Sequence, residues 1–187
     1  MRPIVVSLSV AFALTACGGD MPQAQKEAAA AEIVQLFAQG CAAWRGDAAQ
    51  VAEWAERQQF TRLNAEAVKK LPHGMMERNV QTVWQTERNG TVFYLNTNAE
   101  GCSVKTVVTD ETAVRKQFAA VAEQAGAKVK ARFHSDEAAA SIFPFRRLTY
   151  AWQFEDGKRA LLTANTSPSD YVPVQAALFF ARQPAEN

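Results

Sequence analysis

The chain has 187 residues, with 20 Lys+Arg against 19 Asp+Glu and a formal net charge of +1. That balance supplies no electrostatic footprint for nucleic acid, which calls for a basic face or stripe. The length suits one globular domain that buries most of its unfolded surface, and leaves little room for a second.

At the amino terminus Arg2 precedes an uncharged apolar run from Pro3 to Leu14, closed by the polar Gly18-Gly19-Asp20. A positive start followed by a short apolar segment is export-signal architecture, and the run falls short of the roughly 20 apolar residues that cross a bilayer. Leu14-Thr15-Ala16-Cys17 resembles the lipobox of bacterial lipoprotein precursors: a branched apolar residue, two small residues, then cysteine. The resemblance implies a signal peptide over residues 1–16, cleavage before Cys17 and a thioether-linked diacylglycerol on its thiol. It also implies attachment to a membrane through acyl chains, each buried methylene contributing about 0.8 kcal/mol. In that family an aspartate after the cysteine retains the protein at the inner membrane. Gly18 stands there instead, so the cell envelope, and its outer membrane in preference to the inner, is the expected location. The alternative is an ordinary secretory signal with a chance cysteine.

Residues 17–26 then read as the lipidated cysteine and a polar tether, and residues 27–187 as one domain. From Glu27 an alanine-rich run leads into Ile33, Phe37, Cys41 and Trp44, an apolar stripe at helical spacing broken at Arg45-Gly46. Asp47 with Gln50 resembles a capping box for a second helix burying Val51, Trp54 and Ala55; Asn64 caps a third, ended by Pro72. The period changes to alternation at Val80, Thr82 and Trp84, and Asn89-Gly90 is a hairpin turn into a strand over Thr91 to Thr97. A strand from Cys102 to Thr109 follows. Asp110 is then placed to cap a helix through Ala125, with Val114, Phe118, Val121 and Ala125 on one face and Gly126 as its stop. Val129 to Phe133 reads as a strand with Lys128, Lys130 and Arg132 on a solvated face, and Ser135 to Ser141 as an irregular connection. Leu148, Tyr150, Trp152 and Phe154 alternate with polar or small residues in a half-buried strand, which Asp156-Gly157 turns back into Arg159 to Thr166. A last strand runs from about Val174 to Arg182. The sum is an α+β domain: N-terminal helices, a largely antiparallel sheet and one further helix, about Asp110 to Ala125, packed on it. Helix followed by a strand meander occurs twice, before and after Asp110.

With Cys17 taken by lipid, Cys41 and Cys102 remain as a pair in a compartment where thiols are oxidised, which predicts one disulfide. A redox or metal site is the competing reading, but neither cysteine has a CxxC partner or a nearby histidine.

Catalytic signals are sparse. The histidines are His73, in a helix-to-strand connection, and His134. Nucleophile elbow, zinc helix, phosphate loop and EF-hand patterns are absent from the sequence, so no catalytic set, metal site or cofactor is assigned. His134, Asp136 and Glu137 form the nearest approach to a metal or acid-base cluster, and a solvated loop is the competing reading. Most aromatics are expected in the core. Trp84, ahead of the charged hairpin, and Tyr171, after an exposed loop, are the candidates for anchoring a partner.

Phe37 and Cys41 on one helix, Trp84 before the hairpin, Gly101-Cys102 opening a strand and Phe118 on the next helix look like an uncharacterised family of small proteobacterial lipoproteins. The resemblance implies a fold and no activity. The expected function is therefore a non-enzymatic, membrane-anchored envelope protein that binds another envelope component or a host molecule. Two alternatives stand beside it: an inhibitor of a cell-wall-degrading enzyme such as lysozyme, inserting Ser167 to Tyr171, and an envelope enzyme using His134 with Glu137.

Overall fold

The computed structural model describes residues 21–126, 128–139 and 143–184. The lipobox and Cys17 lie outside the described residues. The fold is α+β, an eight-stranded antiparallel sheet with helices packed on one face.

Helix α1 spans Gln23–Phe37 and starts ahead of the expected Glu27. Pro22 stands at the N-cap, and its carbonyl accepts from the Gln25 and Lys26 N–H groups. Distant parts of the chain pin this first turn. The Gln23 amide donates to Asp110 at 2.8 Å and the Gln25 amide to the Asn89 carbonyl at 3.1 Å. Residues 23–26, assigned to the expected tether, are thus helical. At its other end α1 widens into a π turn, Ala38–Ala42. Four residues overshoot an α-helical turn of about 3.6, and the wider turn absorbs the overshoot, keeping Cys41 on the buried face of Ile33 and Phe37. Gly40 sits in this turn against Trp54, whose ring would lie 2.5 Å from a Cβ.

Helix α2, Ala48–Arg57, is capped by Asp47, whose carboxylate accepts from the Ala49 and Gln50 N–H groups. Strand β1 is only Thr61–Arg62, and α3, Ala65–Lys69, is capped by Asn64. Strands β2 (Thr82–Arg88), β3 (Thr91–Thr97) and β4 (Gly101–Thr106) form the first meander. Helix α4, Glu111–Glu123, follows with Asp110 accepting from the Ala113 N–H at 2.7 Å. The second meander is β5 (Val129–Ala139), β6 (Phe145–Phe154), β7 (Arg159–Thr166) and β8 (Ala176–Gln183).

Strand β5 corrects one expectation. It continues through residues read as irregular, pairing with β6 as far as Ala139↔Phe145, with a register shift between Phe133 and Ser135. The strand lies at the sheet edge and is exposed on both faces over much of its length, so no apolar alternation marks it in the sequence.

The strand order β1-β2-β3-β4-β8-β7-β6-β5 joins the meanders through β4 and β8, in register from Gly101↔Ala181 to Thr106↔Ala176. Helices α1 and α4 lie together on one face of the joined sheet. Phe37 meets Phe118 with ring centroids 5.6 Å apart, and Phe118 meets Tyr150 of β6 at 6.3 Å. Two polar ties fix α4 to β6: the Trp152 indole donates to the Ala122 carbonyl and the Tyr150 hydroxyl to Glu123, both at 2.8 Å. Burial and then the Glu123 carboxylate push the Tyr150 phenol up to about 12. On the opposite face, residues 71–80 cover β3 and β4, burying Met75, whose carbonyl accepts from the Asn96 amide at 2.9 Å. Beyond β8 that face is open.

Cys41 of the π turn and Cys102 of β4 come to disulfide distance, with Cα atoms 5.8 Å apart. Non-reducing peptide mapping is expected to recover both in one linked fragment. For their separation of 61 residues, the Cys102→Ala variant should lose up to roughly 4 kcal/mol of unfolding free energy, read by urea titration. Two free thiols in protein taken from an oxidising compartment would contradict the pairing.

Candidate functional site

The open face carries a cavity of about 380 Å³ at the sheet end where β4 and β7 finish and β6 and β8 begin. Its walls are apolar: Phe143 and Phe145 ahead of and within β6, Phe179 of β8, and Val172, Pro173 and Val174 from the β7–β8 loop. Lys105, Asn165, Ser167 and His73 supply the polar atoms. An apolar concavity with a few converging polar groups is the usual form of a small-ligand site.

Lys105 is the unusual member. Alternation along β4 sends Cys102, Val104 and Thr106 to the helices and Lys105 to the other face, beneath residues 71–80, where its side chain is 3 % exposed. A buried ammonium is costly unless paired. The Glu77 carboxylate lies 2.9 Å away and the Gly74 carbonyl accepts at 3.1 Å. Those contacts use two of the three N–H donors of an ammonium. The group also stands 5.3 Å from the Phe179 ring centroid. On β7, Asn165 accepts from the Arg147 Nε through Oδ1 at 3.2 Å and also lines the cavity. Acceptor oxygens on an otherwise apolar molecule match this equipment.

Tyr171, the second sequence candidate, follows the loop that forms one wall and is 92 % exposed. The loop beneath it is braced. The Ser167 hydroxyl donates to the Pro144 carbonyl at 2.6 Å, and the Ser169 hydroxyl accepts from the Tyr171 N–H at 3.3 Å. Asp170 pairs with Lys26 of α1 at 2.8 Å and accepts from the Gln175 amide at 2.7 Å. The hydrogen bonds from Lys26 and Gln175 lower the Asp170 carboxyl pKa from its ordinary value.

Trp84 does not share that exposure. It is 3 % exposed in the core, with Arg62 of β1 across the ladder and its guanidinium 5.8 Å from the indole ring, which removes it as a surface anchor. A two-residue strand leaves no legible pattern, so nothing local announced this pairing. The His134, Asp136 and Glu137 cluster is divided by the sheet. The register shift turns Asp136 toward the helices, where Arg115 reaches it at 2.7 Å and Arg146 at 3.0 Å. Although desolvation raises the Asp136 pKa, the guanidinium contacts outweigh it and the net shift is downward. His134 and Glu137 line a second cavity of about 430 Å³ on the open face, with Arg147, Thr149 and Thr163. Among the described residues, no three His, Cys, Asp or Glu side chains are grouped to hold a metal ion. Lys130 and Arg132 are exposed on the same face beside a third cavity of about 400 Å³.

No family model, curated protein or solved structure matches the chain.

The Lys26–Asp170 bracket gives the loop a pH dependence of definite sign. A carboxyl whose folded pKa is depressed stabilises above its unfolded value, about 3.9, and that contribution disappears as pH falls through the folded pKa. Amide exchange of residues 167–175 is expected to accelerate in Asp170→Asn at neutral pH and in the wild type below about pH 4. Equal protection in the variant and the wild type at neutral pH would contradict the bracing role.

Proposed function

We propose that the chain is a lipid-anchored protein of the bacterial envelope that binds a largely apolar ligand bearing acceptor oxygens. The observation that supports the binding role is the cavity between Phe145, Phe179 and Val172–Val174, which Lys105 and Asn165 also line within largely apolar walls. Burial of apolar surface supplies the affinity in such a site, and a few polar groups orient the ligand. The lipobox at Leu14-Thr15-Ala16-Cys17 supports the anchor. Once attached through Cys17, the domain meets ligands and partners of the envelope at high local concentration. In this reading Cys41 and Cys102 are covalently joined, fixing the π turn against β4 at the opposite end of that strand from Lys105.

Among the described residues the buried core runs from Ala29 to Phe180, and a soluble form lacking residues 1–16 and carrying Cys17→Ala keeps all of it. Fluorescence titration with anilinonaphthalene sulfonate, an aromatic probe with acceptor oxygens, is expected to show one saturable site. Asn165→Asp keeps the acceptor for Arg147 while placing negative charge in the cavity. It should weaken binding about tenfold, equivalent to about 1.4 kcal/mol. Unsaturable binding, or the same affinity in the variant, would remove this site.

A further inference from the structure

The end of the sheet that holds the cavity is also the end where the described chain begins. Gln23 reaches Asp110, just after β4, and Gln25 reaches Asn89 in the β2–β3 turn. Lys26 reaches Asp170 in the β7–β8 loop. Cys17 lies five residues ahead of Pro22, a stretch spanning at most about 18 Å when fully extended. An acyl chain on Cys17 therefore confines this end of the domain to the neighbourhood of the lipid surface.

The large apolar side chains left exposed are unevenly placed. Among the described residues they are Tyr171 at 92 %, Phe133 at 61 % and Phe143 at 42 %. Tyr171 and Phe143 both stand at the tether end, held together by the Ser167 hydroxyl on the Pro144 carbonyl. At the opposite end the β6–β7 turn is Glu155-Asp156-Gly157-Lys158, polar throughout. A tyrosine ring is amphipathic and settles at the headgroup level, its apolar body in the boundary and its hydroxyl in water. The ring's position on a braced loop reduces the ordering cost of placing it there.

We infer that the tether end of the domain docks on the bilayer that holds the anchor, with Tyr171 inserted at the interface and the cavity beside it turned toward the lipid. The inference rests on the lipid-anchor reading and deepens it: the partner of this surface is the membrane itself, and the cavity's ligand reaches it from the lipid phase. The short chain ahead of Pro22 supplies the proximity, and the exposed rings supply the contact.

The test uses the full processed chain reconstituted in vesicles of phosphatidylethanolamine and phosphatidylglycerol containing brominated lipid. A polarity-sensitive fluorophore is attached through Tyr171→Cys or, at the far end, Glu155→Cys. Both positions are exposed, so neither change disturbs the core. Mass spectrometry of the same samples reads the acyl chains on Cys17. The expected result is an acylated Cys17, a blue-shifted label at position 171 and bromine quenching there severalfold greater than at position 155. An acylated chain with equal quenching at the two positions overturns the docking and leaves the anchor standing. A chain without acyl groups on Cys17 overturns both. A label at 171 that is unquenched on vesicles and shielded only in intact envelopes also overturns the docking, and assigns the loop to a protein partner.

Discussion

The pairing of β4 with β8 is the constraint on which the rest of the molecule depends. Each helix-plus-meander half contributes one helix and one apolar sheet face to a single core cluster. Joining Gly101–Thr106 to Ala176–Gln183 makes one sheet, and the two helices can then pack on each other as well as on the strands. Gly101 is the point of closest approach, since a Cβ there would fall on the Phe180 carbonyl of β8. Phe180 continues the contact into the core, meeting Trp152 of β6 with ring centroids 6.2 Å apart. Cys41 and Cys102 stand at disulfide distance beside the same seam, where the π turn of the first half meets the strand that joins the second.

The same seam creates the cavity. β4 and β8 contribute Lys105, Ala177 and Phe179 to its floor, while residues 71–80 cover β4 on one side and leave the second meander open on the other. The step between covered and uncovered sheet is the concavity. Lys105 lies under the cover, where Glu77 compensates its charge, and it still borders the open space. The β7–β8 loop closes the end wall, and Gln175 ties it to β4 and the β4–α4 connection: its N–H donates to the Thr106 carbonyl at 3.1 Å and its side chain accepts from the Thr109 N–H at 2.6 Å.

Features written in neighbouring residues were legible in the sequence. Asp47, Asn64 and Asp110 cap their helices, Asn89-Gly90 and Asp156-Gly157 turn their hairpins, and the alternation from Leu148 to Phe154 marks β6. The cysteine pair followed from counting. What escaped was decided across the chain. The start of α1 depends on Asp110 and Asn89, the burial of Trp84 on its neighbours across the fold, and the course of β5 on β6, the strand it pairs with at the sheet edge. Lys105 was invisible as a site residue because a lysine in a strand reads as solvent-facing, and its partner Glu77 belongs to a loop with no pattern of its own. The strand through the HSDE segment escaped for a related reason: its register shifts between Phe133 and Ser135, and the same shift parts His134 from Asp136.

Anchor and cavity make one account. On the reading proposed above, a lipid attachment at Cys17 would set the compartment, leave Cys41 and Cys102 to pair, and bring the cavity end of the sheet against the membrane. The most direct measurement is the intact mass of the chain extracted from bacterial membranes. The account predicts a polypeptide beginning at Cys17 whose mass exceeds that of its residues by a diacylglyceryl group and a further acyl chain. A chain that retains residues 1–16, or one that begins elsewhere with an unmodified Cys17, would contradict it.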